Sequence, residues 1–322
     1  MYETFYNLRA KPFQLNPDPR FFFNSKGHKR AMSYLEYGLS QGEGFIIITG
    51  DIGAGKTTLV RSLLKRLASA NIVAAHLVST QLGADDALRM IAAAFGVGFE
   101  DTSKAVLLKK LETFLISCHR QKKRALLIVD EAQNLSSQAV EELRMLSNFQ
   151  ADDTPLLQSF LLGQPEFRAT IQSAQMQQLR QRVIASYHLG PLDAAETRAY
   201  IEHRLKTVGW TDNPQFSDDA FAVIFAFTEG IPRRINTLCD RLMLFGYLEE
   251  KTRFDKSVVE DVTNDLLTEV ATQASLPEEN SGDLTLQNGV NDRLVSIEDS
   301  LGRILRILRR ILASLPETDK TK

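Results

Sequence analysis

The segment GDIGAGKTTL, residues 50–59, combines glycines, a lysine and threonines directly after the apolar run FIIIT. Its spacing is G-x-x-x-x-G-K-T, with Gly50 and Gly55 as the fixed glycines. Glycines let the backbone curl so that successive N–H groups point at an anion, and a helix that begins near Lys56 adds its positive end. We therefore expect a phosphate-binding loop. Its residues are Gly50, Asp51, Ile52, Gly53, Ala54, Gly55, Lys56, Thr57 and Thr58.

Two side chains of this loop have the chemistry that a nucleotide site needs. We expect Lys56 to reach the outer phosphates and the hydroxyl of Thr57 to bind Mg²⁺. The alternative is an ordinary glycine-rich turn between a strand and a helix. Because the strand, the loop and the helix are all predicted in the right order, the phosphate site is favoured.

A pair of carboxylates, Asp130 and Glu131, follows the apolar residues LLIV in the segment LLIVDEAQ. We expect Asp130 to hold Mg²⁺ through water and Glu131 to polarise a water molecule for attack on the outermost phosphate. An acidic pair alone would be weak evidence, since such pairs are common on protein surfaces. Following a phosphate loop and four apolar residues, the pair predicts hydrolysis of the nucleotide as well as binding.

Gln164 follows the predicted strand SFLLG, and its amide suits a contact with the attacking water or the outer phosphate. A turn residue before Pro165 is the alternative. Arg233 in GIPRRIN opens a helix of a second domain, where we expect it to fold back onto the phosphates. Arg234 is the second choice for that role.

Arg180 and Arg182, in the segment QLRQRV, lie just before the last predicted strand. A guanidinium group is well suited to the charge on a transferring phosphoryl group, and these arginines are placed to enter the site of a neighbouring subunit. The alternative is that either one is a solvated arginine at a helix end. The sequence does not decide which of the two acts.

Composition limits the classes of partner. The 322 residues include 38 Lys and Arg against 40 Asp and Glu, a net charge of −2, so any contact with nucleic acid or anionic lipid must be local. The two cysteines fit buried positions in a reducing compartment, and the five histidines have no spacing typical of a metal site. No signal peptide or membrane span is predicted, so the expected location is the cytoplasm, with or without peripheral attachment to the inner membrane.

Apolar runs alternate with helical patterns up to Pro191, which is typical of a parallel sheet covered by helices on both faces. The predicted strands are FIIIT and residues 72–79, 124–130, 155–163 and 183–190. Only helices are predicted from there to about residue 270. The expected organisation is an N-terminal arm and helix at 1–44, an α/β domain at 45–190, a helical lid at 191–270, a linker at 271–291 and an amphipathic helix at 292–315.

Together these motifs resemble the AAA+ ATPases over about residues 1–270, with GDIGAGKT and LLIVDE as the two nucleotide motifs, Gln164 and GIPR as the two sensors, and Arg180 and Arg182 as the arginine box. The opening MYETFYNLRAKPFQLNPDPRFFF, the DEAQNL segment and LLGQPEF resemble the ExeA, or general secretion pathway protein A, type. A close resemblance is to the ATPase of the exosortase (PEP-CTERM) system.

The resemblance implies binding and hydrolysis of ATP with Mg²⁺ in a homo-oligomer, where each arginine finger completes the next subunit's site. It also implies that the arm and the helix at 26–41 wrap the adenine, with Phe13 or His28 as contacts. Two departures stand out. Secretion members carry a transmembrane segment and a wall-binding domain after the ATPase, neither of which is predicted in these 322 residues, and Gln164 stands where Asn or Thr is more common.

The tail has apolar residues at alternating spacings of three and four, namely Leu294, Ile297, Leu301, Ile304, Leu308, Ile311 and Leu315. Leucine at a and isoleucine at d predict a coiled coil of three or four strands. A helix docked on its own ATPase domain and a helix lying on anionic membrane are the alternatives. The expected partner of this tail is another subunit or a protein at the inner membrane.

Three functions fit these observations. The first is an ATPase that energises or assembles a bacterial envelope export system for polysaccharide or protein. The second is an ATP-dependent filament on DNA that selects transposition targets, which the lack of a dense basic run in the ATPase domain disfavours. The third is a nucleotide-gated scaffold with negligible turnover.

Overall fold

The computed structural model describes residues 1–16, 18–67, 71–78, 83–100 and 102–274, with side chains to residue 269. The predicted linker and tail helix, residues 271–291 and 292–315, therefore lie outside the described side chains, and the tail lies outside the described backbone as well.

The strands, in chain order β1 to β9, are Phe45–Gly50, Ile72–Val78, Arg124–Asp130, Gln150–Ala151, Thr154–Pro155, Leu157–Gly163, Val183–Leu189, Gln215–Phe216 and Arg253–Phe254. The helices, α1 to α12, are Tyr2–Phe5, Lys26–Gln41, Lys56–Leu67, Ala84–Ala94, Lys104–Arg120, Ser137–Leu146, Pro165–Gln172, Gln177–Arg180, Ala194–Thr207, Asp218–Thr228, Pro232–Leu248 and Lys256–Ala274.

The central sheet is parallel, with five strands in the order β2-β3-β6-β1-β7. Strands β1 and β6 are buried along their whole length, as continuous apolar runs predict for a sheet covered on both faces. Alternate residues of β1 enter different cores: Ile47 packs with α4, α5 and α6, whereas Ile46 and Ile48 pack with α2 and α3. The predicted α/β fold with helices on both faces is confirmed.

Parallel register brings the ends of β1, β3 and β6 to one edge of the sheet. Thr49 pairs with Gly163, and Val129 pairs with Leu161. Functional residues that follow these strands in sequence, far apart along the chain, are therefore neighbours in space.

The helical part contains α9 to α12 and also takes in the N-terminal arm. Tyr2, Tyr6, Phe13 and Phe21 of the arm are buried in one hydrophobic core with residues of α9, α10 and α11. Aromatic burial of this size is a large apolar contribution for a small helical unit. The arm is thus anchored on the helical part before α2 leads the chain to the sheet.

Several details differ from the sequence expectations, among them helices α7 and α8, which were not predicted. Helix α6 and the short hairpin of β4 with β5 were not predicted, although the buried residues of α6 recur at helical spacing after the N-cap Ser136. Strands do not stop at Pro191, since β8 and β9 form a two-stranded parallel pair inside the helical part. Cys118 and Cys239 are buried free thiols, as predicted.

Candidate nucleotide site

The loop between β1 and α3 has the backbone shape that its glycines predict. Gly53 and Gly55 have φ angles of 84° and 100°, in the region that residues with a Cβ rarely adopt. Gly50 lies against the next strand, where an added Cβ would be 2.5 Å from the carbonyl oxygen of Leu189. Helix α3 starts at Lys56, so its N-terminus faces the loop.

Lys56 points into the loop. Its Nζ donates to the carbonyl oxygens of Gly50 at 2.7 Å and of Asp51 at 3.0 Å, and the residue is 6% exposed. Burial lowers the pKa of Lys56, against the attraction of Glu131 and Asp130. An ammonium group this poorly hydrated has much to gain from an arriving phosphate.

Thr57 and Asp130 meet directly. Thr57 Oγ1 donates to Asp130 Oδ2 at 2.7 Å, and the other carboxylate oxygen accepts from the backbone N–H of Glu131 at 3.0 Å. Asp130 is 2% exposed, so its carboxylate is held in place by these two donors. A hydroxyl and a carboxylate side by side are hard oxygen donors, which suit Mg²⁺.

Glu131 has an unusual environment for an acidic residue. Its backbone adopts the left-handed conformation, with φ 54°, and its Oε2 accepts from Gln133 Nε2 at 2.6 Å and from Gln164 Nε2 at 3.2 Å. Burial alone would raise the pKa of Glu131, but these two amides and the charge of Lys56 hold the pKa below its ordinary value. The carboxylate is therefore ionised and oriented.

Gln133 is a functional candidate that the sequence reasoning missed. Besides its bond to Glu131, its Oε1 accepts from the backbone N–H of Gln164 at 3.0 Å. It thereby ties the end of β3 to the end of β6. Gln133 lies two residues after Glu131, which could have marked it as a candidate. A glutamine in a short 3₁₀ turn is common, however, so its position alone does not indicate a function.

A cavity of about 420 Å³ opens from the phosphate loop toward the arm and the helical part. Its loop side includes Lys56, Thr57 and Glu131. Its other walls come from arm residues such as Phe21 and from α9 and α11, where Tyr200, Arg204 and Asn236 were not predicted. The volume and the mixture of apolar walls with a few polar groups are typical of a nucleotide-sized ligand.

Comparison with known proteins agrees with this geometry. Residues 39–171 match the family model described as AAA domain. The chain is 35% identical over 248 residues to general secretion pathway protein A of Aeromonas hydrophila, covering 77% of this chain and 45% of that protein. The chain thus spans less than half the length of this curated relative.

Residues 39–171 form an AAA domain. The AAA domain and the phosphate loop give the chain the fold of a P-loop ATPase, and the 35% identical relative is of the general secretion pathway protein A type.

Solved structures show the same fold for this ATPase. The Aeropyrum pernix ORC2 protein in its ADP form has a TM-score of 0.60 at 16% identity, covering 84% of this chain and 80% of that one. Drosophila ORC bound to DNA has a TM-score of 0.60 at 15% identity, covering 82% and 66%. Cdc6p of Pyrobaculum aerophilum has a TM-score of 0.58 at 15% identity, covering 83% and 74%. At these identities the likeness concerns the fold alone.

Arg233 lies where the helical part of the ATPase touches the phosphate loop. Its backbone N–H donates to Gly53 O at 3.3 Å, and its side chain lines the cavity. Arg234 points elsewhere, into an ion pair with Glu229. The predicted role of Arg233 on the phosphates stays a prediction.

The two candidates for adenine contact occupy different places. Phe13 is buried in the core of the helical part and does not line the cavity. His28 lines the cavity, and its ring lies directly beneath the loop, with Nε2 2.7 Å from a Cβ added at Gly55. Burial lowers the pKa of His28 to about 4, so the ring is neutral near pH 7.

Arg180 and Arg182 do not line the cavity of their own chain. Arg180 donates from Nη1 to the carbonyl oxygens of Ile171 and Ser173 at 2.7 and 2.5 Å. Arg182 donates from Nη1 to Ser147 Oγ at 2.8 Å and Ser147 O at 3.1 Å. Their predicted action in a neighbouring subunit stays a prediction.

The described part of the chain has neither a membrane-spanning helix nor a three-residue metal cluster. None of its helices has the length and apolar character needed to cross a membrane. None of its His, Cys, Asp and Glu residues form a cluster of three that could hold a metal ion. The Thr57–Asp130 pair supplies only two protein oxygens, as in Mg²⁺ sites completed by water and substrate phosphates.

Proposed function

We propose that this ATPase hydrolyses Mg·ATP as a homo-oligomer, in a ring or a filament, and that the cycle energises or assembles a bacterial envelope export system. The observation that carries the hydrolytic part is the ionised, doubly hydrogen-bonded carboxylate of Glu131 beside the Thr57–Asp130 pair.

Each group has a task in this proposal. Lys56 leaves the carbonyl oxygens of Gly50 and Asp51 and binds the outer phosphates of ATP. Thr57 and Asp130 would hold Mg²⁺, partly through water, and the ion would supply positive charge against the charge that develops on the phosphates. Glu131 accepts a hydrogen bond from the attacking water and orients it, with Gln164 as the second polar contact.

In this proposal, neighbouring subunits of the oligomer contribute arginines to each other's sites. A guanidinium from a neighbouring subunit, from Arg180 or Arg182, would meet the charge of the transferring phosphoryl group. Each arginine would first have to exchange its intrachain acceptors for a phosphate oxygen, which offers a stronger, charge-assisted hydrogen bond. Assembly would therefore couple activity to contact between subunits.

The export role rests on the similarity to general secretion pathway protein A. Within that role we favour an exopolysaccharide or exosortase system on the sequence resemblance. The predicted amphipathic coiled coil at 292–315, which lies outside the described residues, is the segment proposed to bind other subunits or a protein at the inner membrane. On this view the protein works in the cytoplasm and attaches peripherally.

The export role is tested in the bacterium that encodes the chain. Glu131→Gln, introduced at the chromosomal locus, should reduce surface polysaccharide or secreted protein while the variant accumulates normally. Glu249→Gln, at an exposed position outside the cavity, is the matched control. Purified Glu131→Gln should have lost phosphate release. If cells that carry this variant still make unchanged amounts of surface polysaccharide and secreted protein, the export role is ruled out.

The tail is tested by deleting residues 290–322. Light scattering with and without ATP should show a smaller oligomer, or membrane fractions should retain less protein. If the size of the oligomer and the amount of protein in membrane fractions are both unchanged, the tail binds neither other subunits nor a membrane partner.

Binding to DNA is the competing reading. The net charge of −2 gives it no general electrostatic support. ATP-dependent binding to duplex DNA at low salt, weakening steeply as salt is added, would favour a DNA filament over export.

A further inference from the structure

Three side chains of the helical part form a hydrogen-bonded row along the cavity wall. Arg204 and Tyr200 lie on α9, and Asn236 lies on α11. Arg204 Nη1 is 2.8 Å from Tyr200 Oη, which is 2.9 Å from Asn236 Oδ1. The three residues are 5%, 6% and 7% exposed, and all of them line the cavity.

The hydrogen bonds of this row run in one direction, from Arg204 through Tyr200 to Asn236. A guanidinium can only donate, so the hydroxyl of Tyr200 accepts from Arg204 and donates its own proton to Asn236 Oδ1. Burial raises the pKa of Tyr200, so the hydroxyl keeps that proton. The carbonyl oxygen of Asn236 is thereby occupied, and its Nδ2, with two N–H donors, is left for a ligand in the cavity.

The arm also holds Arg204 in place from the side away from Tyr200. Its Nε donates to Pro12 O at 2.6 Å and its Nη2 donates to Gln14 O at 3.1 Å. Its guanidinium also lies over the ring of Phe21, 4.6 Å from the centroid. The start of the row is therefore fixed by the backbone of the arm.

Asn236 lies on the same helix as Arg233, which contacts the phosphate loop. It follows Arg233 by three residues on α11, so both lie on one face of that helix and both line the cavity. Arg233 contacts the phosphate loop through Gly53. One rise of about 1.5 Å per residue puts Asn236 about 4.5 Å farther along the helix, past the phosphate end of the cavity.

We propose that Asn236 donates from Nδ2 to a ring-nitrogen acceptor of the adenine base, and that Tyr200 and Arg204 are positioning residues that hold its amide in this orientation. The inference rests on ATP binding in the proposed function. Adenine offers N1, N3 and N7 as acceptors, and a fixed donor in a largely buried wall discriminates against a base that lacks the matching acceptor.

The test measures dissociation constants of the full chain by calorimetry, with ADP and its 1-deaza, 3-deaza and 7-deaza analogues, and with inorganic tripolyphosphate. In the wild type, one deaza analogue should bind roughly tenfold more weakly than ADP, as expected for loss of one buried hydrogen bond. Asn236→Leu should weaken ADP by a similar factor and bind all four nucleotides alike.

Tyr200→Phe keeps the ring but removes the hydroxyl that orients the amide. It should reduce the difference between ADP and the discriminated analogue, which loss of packing alone would not do. Thr237→Val, at an exposed position on the same helix, is the control and should keep wild-type discrimination. Tripolyphosphate has no base, so all variants should bind it as the wild type does.

Three results would overturn the inference alone. Two of them are unchanged discrimination in Asn236→Leu and equal weakening of ADP and tripolyphosphate in that variant. A wild-type chain that binds tripolyphosphate but shows the same affinity for every deaza analogue would also overturn it. A wild-type chain that binds neither ADP nor tripolyphosphate would instead overturn the proposed function, and the inference with it.

Discussion

The carboxylate of Glu131 is clamped by an amide two residues away, since Gln133 Nε2 lies 2.6 Å from Glu131 Oε2. Gln164 donates to the same oxygen at 3.2 Å, from the end of a different strand. Both bonds stabilise the charged carboxylate, and they also hold it toward the glutamines. The residue proposed to activate water is thus kept ionised by groups that fix where it points.

Removing the nearer amide should change the pH dependence of turnover. In Gln133→Ala the pKa of Glu131 should rise, because burial is then opposed by fewer donors. A base must be deprotonated to act, so the acidic limb of the rate profile should move to higher pH. The measurement is phosphate release at saturating ATP from about pH 3.5 to about pH 8, a range that includes the ordinary pKa of a glutamate.

Gln178→Ala, at an exposed position on α8, serves as the control for this series. Its acidic limb should coincide with that of the wild type. An unmoved limb in Gln133→Ala would mean that the hydrogen bond seen here does not govern the protonation of the catalytic carboxylate.

Gly53 determines how closely the helical part approaches the phosphate loop. A Cβ added there would be 2.3 Å from the Cβ of Arg233, and the φ angle of 84° disfavours any side chain. Gly53→Ala should therefore push α11 off the loop and weaken ATP binding at least tenfold, since the cavity walls separate. Calorimetry with ATP measures this effect.

The matched control for Gly53 is Gly98→Ala. Nothing lies within 4 Å of a Cβ at Gly98, and its φ is ordinary. This variant should bind ATP as the wild type does. If Gly53→Ala also kept wild-type affinity, the contact with Arg233 would have no part in closing the site.

His28 should make the folded protein sensitive to mild acid. Its pKa of about 4 in the folded protein lies below the ordinary value of 6.5, so the unfolded chain takes up a proton first as the pH falls. The resulting loss of stability begins below about pH 6.5 and grows until about pH 4. At pH 5 it amounts to roughly 2 kcal/mol relative to pH 7.5.

Urea unfolding at pH 7.5 and pH 5 measures this loss. His28→Gln should lose roughly 2 kcal/mol less than the wild type between the two pH values. His119→Gln, on the outer helix α5, should keep the wild-type difference. Equal losses in all three proteins would show that His28 titrates normally in the folded state.

Much of the sheet and of the phosphate site could be predicted, because local sequence determines both. The predicted strand bounds at 124–130 coincide with those of the structure. The glycines before Lys56 predict a tightly curled backbone, and Gly53 and Gly55 have the positive φ angles that such a loop needs. Asp130 could be placed beside Thr57 because parallel strands end at one edge of the sheet. These inferences need only periodicity, turn chemistry and topology.

The rest of the site depends on contacts between distant segments, which have no local signature. Arg204 reads as an ordinary helix arginine in sequence, and only the fold brings it to the carbonyl oxygens of Pro12 and Gln14, about 190 residues earlier. Phe13 is a candidate for adenine contact in the sequence, but packing of the arm on the helical part buries it away from the cavity. Tertiary packing decides both outcomes.

Lys56 should account for most of the stabilisation by ATP. A ligand at 100 times its dissociation constant stabilises the folded state by about 2.7 kcal/mol, which raises Tm by several degrees in a protein of this size. Lys56→Ala should abolish that rise, since the phosphates lose their ammonium partner. Thermal unfolding with and without Mg·ATP measures it, and Lys65→Ala, in the last turn of α3, should keep the rise.

If the protein works as an oligomer, a variant of Arg182 should reveal it in measurements of turnover. It is bound to Ser147 in its own chain, and it does not line its own cavity. If it acts in the next subunit, Arg182→Ala and Lys56→Ala should each be inactive alone, but a mixture of the two should release phosphate. With random equal mixing, about a quarter of the interfaces join an intact loop to an intact arginine. Phosphate release by the mixture, compared with each variant at the same total concentration, measures this.

Repeating the mixture with Arg180→Ala identifies which arginine serves, and a mixture as inactive as its components would place the function of Arg182 within its own chain.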